Sequence, residues 1–285
     1  MSHSLLSLLT LALIAGCNIG KTSIGTTADD TGSGGEGSGI DKDVRVIADV
    51  FTWPCSGGTD LYPGVFAHMI SLEYAPDGMR SLELPAAGEC TYGLDMFPSN
   101  AGDAAADLDS ILGTPSWSND NYNGNLDMMS TGFWIDDVLE DTHSCEEVDQ
   151  RQQGGTSIEQ AGVLTGAATP EPAEMPFVEY DGFDTLLEWG DEAKASWDAD
   201  HEWSQVWVQI RREVDGEAWE SVTCNATGAS DFTIDDTIWE LFDEDLSVDR
   251  NNIYIAFQNA STFETDSGLK VDVLTRSIDI AVVTD

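Results

Sequence analysis

Hydrophobic and polar residues alternate with a period of two in several segments of this 285-residue chain. The clearest example is the segment 44–50, VRVIADV, in which every second residue is a valine or an alanine. Such alternation predicts a β-strand, because successive side chains of a strand point to opposite faces. Further strands are predicted at 66–74, 90–96, 131–138, 203–214, 217–226, 230–234, 252–258 and 269–283.

Helical patterns are confined to two short stretches, at 103–112 and 237–242. Many short strands with so little helix predict an all-β fold built from two β-sandwich-like domains. The proline-containing segment 169–172, TPEP, interrupts the strand pattern and marks a boundary between them. We therefore predict a β-rich domain at 42–165, a linker at 166–177 and a second domain at 178–285.

The second half contains the clearest hairpin, in which the strand 203–214 reaches Asp215-Gly216 and returns through 217–226. In the number and length of its strands, this half resembles the immunoglobulin-like and fibronectin-III-like modules of exported bacterial proteins. It lacks the cysteine pair spaced around a tryptophan that marks antibody domains. The resemblance therefore implies a β-sandwich and no particular activity.

The first seventeen residues have the pattern of an export signal. An apolar run from Leu5 to Ile14 precedes two small residues and Cys17. The run is shorter than the roughly 20 residues that a transmembrane helix needs. The segment Ile14-Ala15-Gly16-Cys17 resembles the lipobox of bacterial lipoproteins. That resemblance implies removal of residues 1–16 and acylation of Cys17. With Asn18 following in place of aspartate, it also implies anchoring to the outer membrane.

Residues 17–41 are rich in Gly, Ser, Thr and Asp, with few apolar side chains. Such a segment cannot bury enough apolar surface to order itself, so we expect a disordered, flexible tether. This tether would hold the folded part away from the membrane surface.

Acidic residues dominate the charge, with 53 Asp and Glu against 11 Lys and Arg and a formal net charge of −42. This excess argues against nucleic acid as a partner, because nucleic-acid affinity comes largely from basic side chains that neutralise phosphates. It also argues against direct docking on anionic lipids. Two explanations of the charge stay open, namely solubility in a salty habitat and the binding of divalent cations.

With Cys17 assigned to the lipid, four cysteines remain: Cys55, Cys90, Cys145 and Cys224. An even number is typical of disulfides in an oxidising compartment. Four cysteines allow three pairings, between which the sequence does not decide. Because only one of the four lies in the second half, full pairing requires at least one bridge between the halves.

A candidate ligand platform lies on the strand 203–211. Val206, Val208 and Ile210 would form one face of this strand. The alternate positions would present two tryptophans with polar neighbours, a combination typical of glycan-binding surfaces. These candidate glycan-binding residues are Trp203, Gln205, Trp207, Gln209 and Arg211.

The hairpin register bears on this candidate. With Asp215-Gly216 as a two-residue turn, Trp207 would lie opposite Cys224 and Gln209 opposite Val222. Apolar partners on that face favour burial beneath the first domain over an open platform.

A calcium loop is the one candidate metal site. Residues 119–127, NDNYNGNLD, carry oxygen-bearing side chains at Asn119, Asn121, Asn123 and Asp127. Asn123-Gly124 is equally typical of an ordinary hairpin turn. Apart from calcium, the sequence indicates no cofactor.

Little in the sequence favours an enzyme. There is no G-x-S-x-G or H-E-x-x-H motif. Carboxylates are also so abundant that two of them would lie at glycosidase spacing by chance. We expect a non-enzymatic, lipid-anchored binding or structural module, with a polysaccharide or a protein as its ligand. The alternatives are a hydrolase of extracellular polymers and a glycan-binding module that uses Trp203 and Trp207.

Overall fold

The part of the chain that the structure describes folds predominantly into β-strands, as predicted. The computed structural model describes residues 44–52, 66–76, 82–96, 113–130, 132–139, 155–161, 164–169, 173–182, 192–214, 218–242, 248–266 and 268–284. The strands are β1 (Val44–Thr52), β2 (Phe66–Pro76), β3 (Cys90–Tyr92), β4 (Ser116–Ser118), β5 (Asn123–Asn125), β6 (Asp127–Ser130), β7 (Phe133–Leu139), β8 (Ser157–Gln160), β9 (Leu164–Ala168), β10 (Val178–Asp181), β11 (Ala193–Trp197), β12 (Gln205–Val214), β13 (Ala218–Asn225), β14 (Asp231–Ile234), β15 (Val248–Glu264) and β16 (Lys270–Thr284).

Among the described residues there is one short helix, α1 (Asp236–Trp239), which overlaps the stretch 237–242 predicted to be helical. Asp235 caps it, because its carboxylate accepts a hydrogen bond from the backbone N–H of Thr237. Hydrogen bonding from the Thr237 side chain lowers the pKa of Asp235. Among the residues that the structure describes, no helix is long and apolar enough to cross a membrane.

The strands form three sheets that build two adjoining sandwiches. A nine-stranded sheet has the order β3-β13-β12-β15-β16-β1-β2-β7-β6. A four-stranded sheet, β5-β4-β8-β9, packs on it around a core that includes Trp117, Ile158 and Leu72. A three-stranded sheet, β10-β11-β14, packs on it around a second core that includes Trp197, Val208 and Phe257. The strand register places both cores on the same face of the long sheet.

The second sandwich contains seven strands, with β10-β11-β14 facing β13-β12-β15-β16. The two sandwiches meet where β1 pairs in parallel with β16, from Arg45 opposite Lys270 to Thr52 opposite Ser277. The nine-stranded sheet is therefore continuous between strands that lie on either side of the predicted linker. The division of the chain into domains at 166–177 stays a prediction, and β9 occupies residues 164–168 at its start.

The back face of the nine-stranded sheet, opposite the two smaller sheets, is also buried. Residues 82–96 lie against it, with Leu84, Leu94 and Met96 packed next to Phe51 and Trp207. The strand β1 is consequently buried on both of its faces. Ile47 and Asp49 alternate with the core residues of β1 and therefore belong to its back face. Burial of that face explains why both are inaccessible to solvent.

The predicted register of the β12–β13 hairpin is wrong by one residue. Val214 lies opposite Ala218, so three residues connect the strands where a two-residue turn was expected. Cys224 therefore lies opposite Val208, and Val222 lies opposite Ile210. Both side chains belong to the core between the sheets and not to the face of Trp207.

Some expectations fall outside the described residues. They include the signal segment with Cys17, the tether 17–41, the helical stretch 103–112, Cys55 and Cys145. These expectations stay predictions.

Candidate binding cleft

The candidate ligand platform on the strand 203–211 is not an open surface, because both tryptophan rings are buried. Trp203 is 4% exposed and Trp207 is 0% exposed. They also lie in different cores, since β12 begins only at Gln205 and Trp203 precedes the alternation of the strand. Neither ring is available to stack on a sugar in this structure.

Two polar residues of the candidate platform, Gln209 and Arg211, contact the segment 94–95 on the back face of the nine-stranded sheet. Gln209 donates to the carbonyl oxygen of Leu94 at 2.9 Å, and Thr223 donates to the same oxygen at 2.7 Å. Arg211 lies 3.5 Å from the carboxylate of Asp95. The expected burial of this face beneath residues of the first half is therefore confirmed. The remaining member, Gln205, accepts a hydrogen bond from the side chain of Gln258.

A buried ion pair lies at the centre of this back face. Arg276 contacts Asp49 at 2.9 Å, and both side chains are 0% exposed. The guanidinium also donates to the carbonyl oxygen of Met96 and stacks on Phe51, with its Cζ 4.9 Å from the ring centroid. Trp207 contacts it from a second side at 5.6 Å. These contacts fit a structural role, because both charges are closed off from solvent.

A disulfide joins Cys90 to Cys224 and connects β3 to β13. This confirms the expectation that a bridge joins the two halves of the sequence. The bridge lies at the start of the segment whose later residues contact Arg276. Because Cys90 and Cys224 are bonded to each other, a second bridge would have to join Cys55 to Cys145. That bridge stays a prediction.

The predicted calcium loop forms a β-hairpin with a different turn. The turn covers residues 119–122, and Asn123 and Gly124 lie in β5, so the expected Asn123-Gly124 turn is wrong. The side-chain oxygen of Asn119 accepts hydrogen bonds from the N–H groups of Asn121 and Tyr122. Gly124 lies so close to Trp117 that a Cβ there would come within 2.7 Å of its Nε1. The glycine is therefore explained by packing.

Within the described ranges, no group of three or more His, Cys, Asp and Glu side chains is arranged to hold a metal ion. Asp127 is exposed at the start of β6.

Burial raises the pKa of Tyr74 and Tyr180 above the ordinary tyrosine value, and the carboxylate of Asp279 adds to this effect at Tyr180. Neither hydroxyl ionises near neutral pH.

An open cavity of about 720 Å³ lies on the three-stranded sheet of the second sandwich, and we call it the acidic cleft. Phe177 lies just before β10 and Glu179 within it, whereas Ser196 and Trp197 end β11 and Asp198 follows it. The antiparallel pairing of these strands, with Glu179 opposite Ser196, brings the two sets together. The remaining lining residues are Glu174, Met175, Pro176, Asp200, His201 and Glu202.

Tryptophan side chains fix both walls of the cleft. Trp203 donates from Nε1 to the carbonyl oxygen of Glu174 at 3.1 Å, which holds the segment before β10. Trp197 donates to Ala229 at 3.0 Å and packs edge-on against Phe257. His201 packs on the same Phe257 ring, with the centroids 5.3 Å apart. The cleft is thus built on residues of the second core.

The cleft is acidic and has an apolar contact point. Of the described residues that line it, five carry carboxylates and none is Lys or Arg. Lys194, on the neighbouring part of β11, pairs with Asp231 at 3.1 Å. Phe177 is 79% exposed, the largest exposed fraction among the large hydrophobic side chains of the described residues. An exposed aromatic ring among polar groups is typical of a recognition site.

Residues 174–177 belong to the predicted linker, and no role was predicted for residues 198–202. The missing information was the pairing of β10 with β11, which brings these two segments together.

No family model matches the sequence, and no curated protein does. Among solved structures, a crystal structure of the FN1–FN3 domains of chicken CNTN1 matches at 9% identity with a TM-score of 0.20. The match covers 85% of this chain, and the chain spans 64% of the length of that structure. A likeness at this level carries no argument about function.

Proposed function

We propose that this protein is a lipid-anchored, extracytoplasmic binding module without enzymatic activity, and that the acidic cleft is its ligand site. The proposal is supported chiefly by Phe177, whose exposed ring lies in an open cavity lined by carboxylates. Leaving so much aromatic surface in water is unfavourable, and a ligand that covers it regains that free energy. Hydrolysis of extracellular polymers stays an untested alternative.

We further propose that residues 178–285 are a module of the immunoglobulin-like or fibronectin-III-like kind. Its seven strands support this proposal, because the three-stranded sheet faces four consecutive strands of the nine-stranded sheet. In such modules the two sheets form a rigid support, and the ligand contacts are added on the surface.

The binding function predicts that a ligand raises the melting temperature of the mature protein. A panel of neutral oligosaccharides, acidic peptides, basic peptides and organic amines would be tested in a thermal shift assay. At a hundredfold excess over Kd, we expect one class to raise Tm by roughly 5–10 °C. The substitution Phe177→Ser should remove the shift, whereas Met128→Ser should retain it, because Met128 is similarly exposed on the distant edge strand β6. A panel without any shift, or equal shifts in both variants, would argue against the cleft.

The anchor predicts a modified amino terminus. Mass spectrometry of the membrane-extracted protein should find Cys17 as the first residue, carrying fatty acyl groups. Because the lipid holds the protein at the membrane, Cys17→Ser should move it to the soluble fraction. Recovery of the wild-type chain with Met1 intact in that fraction would contradict the proposal.

A further inference from the structure

The chemistry of the acidic cleft selects one class of occupant. Resting on the function proposed above, we propose that the cleft binds an extended, positively charged peptide segment of a partner protein. Three properties of the cleft support this assignment, namely its charge, its aromatic contact point and its position beside an edge strand.

The negative charge of the cleft disfavours anionic ligands and favours basic ones. Among the described residues, the lining contains five carboxylates and no Lys or Arg, and Lys194 is already paired with Asp231. An anionic ligand would be repelled by this lining and by the chain's net charge of −42. A basic segment is attracted over a distance and oriented on arrival.

The apolar part of the lining excludes a simple metal cation. An inorganic ion would neutralise carboxylates but leave Phe177 in contact with water, 79% exposed. Lysine and arginine carry an apolar stem together with a charged end group. The stem covers an aromatic ring while the end group reaches a neighbouring carboxylate, here that of Glu179, two residues further along the chain.

The position beside β10 favours a peptide over a free amine. In the part of the chain that the structure describes, β10 is an edge strand that pairs only with β11. An edge strand offers a row of backbone N–H and C=O groups to an added strand. Phe177, just before β10, and Glu179 both line the cleft and are two residues apart, so an added strand with basic side chains at every second residue would present them to both.

The test uses the full mature protein and a dye-labelled ten-residue peptide of alternating lysine and threonine, followed by fluorescence anisotropy at 0.15 M salt. We expect saturable binding of this peptide and none of its glutamate–threonine counterpart. Glu179→Gln with Glu202→Gln should weaken binding at least tenfold, as should Phe177→Ser. Asp120→Asn with Asp127→Asn changes the charge equally at exposed residues of the first sandwich, and should leave Kd within twofold. A peptide that is N-methylated at alternate residues should also bind at least tenfold more weakly.

The outcomes separate this inference from the function on which it rests. Spermine would be added at the same concentration of positive charge as the peptide. If it displaces the peptide and Phe177→Ser has no effect, binding depends on charge alone and the inference is overturned. Equal affinity of the N-methylated peptide overturns the added-strand geometry and with it the assignment to an extended segment. If the peptide does not bind but another probe class binds in a manner that depends on Phe177, the ligand class is wrong and the binding function stands. If no probe of any class binds, both proposals fail.

Discussion

Replacing Arg276 with methionine is expected to lower the free energy of unfolding by about 3–5 kcal/mol. The substitution leaves the carboxylate of Asp49 fully buried without the guanidinium that lies 2.9 Å away. It also removes the hydrogen bond to Met96 and the stacking on Phe51. Urea denaturation, followed by tryptophan fluorescence, would measure the loss.

A double variant distinguishes an unpaired charge from a packing defect. When Asp49→Ala accompanies Arg276→Met, neither charge of this pair remains, and the double variant should be more stable than Arg276→Met alone. The matched surface control is Lys194→Met, which removes the half-exposed partner of Asp231 and should cost less than about 1 kcal/mol. A cost for Arg276→Met as small as that of the surface control would contradict a buried structural ion pair.

Removing the disulfide should be similarly costly. The bridge between Cys90 and Cys224 closes a loop across a sequence separation of 134 residues. In the chain-entropy model, a loop of this length stabilises the folded state by up to about 5 kcal/mol. The variant Cys90→Ala with Cys224→Val leaves the other cysteines in place, so its urea midpoint reports this bridge alone.

Tyr92→Phe provides the control for that experiment. It keeps the bridge but removes the exposed hydrogen bond from Tyr92 to Glu220 on the same pair of strands. We expect it to cost no more than about 1 kcal/mol. The entropic account would be wrong if the cysteine variant unfolded at the same urea concentration as this control.

Alternation in the sequence predicted the strands of the long sheet well and those of the covering sheets poorly. The segments of β1, β2, β12 and β16 are long enough to show the period. Others, such as β5 (Asn123–Asn125) and β4 (Ser116–Ser118), have three residues and a polar composition, so neither period nor propensity distinguishes them from loops. β4 pairs with β8, which is distant in sequence, as Trp117 does with Ile158, and β5 in turn pairs with β4.

The cleft could not be predicted for a related reason. Phe177 stands between Pro176 and Val178, and only the three-dimensional structure shows that its ring remains exposed while Val178 is buried. Conversely, Trp203 and Trp207 were candidate glycan-binding residues because their spacing fits one face of a strand. That reasoning assumed that the strand includes Trp203, whereas β12 begins two residues later.

The parallel contact between β1 and β16 has a mechanical consequence. Arg45 lies beside Lys270 and Thr52 beside Ser277, so the two strands run in the same direction. A force that pulls residue 44 and residue 284 apart therefore acts along the strands in opposite senses. The hydrogen bonds of this contact carry such a load together, in shear, and do not open one after another from an end. A tether that precedes β1 would thus transmit tension to the part of the sheet best arranged to resist it.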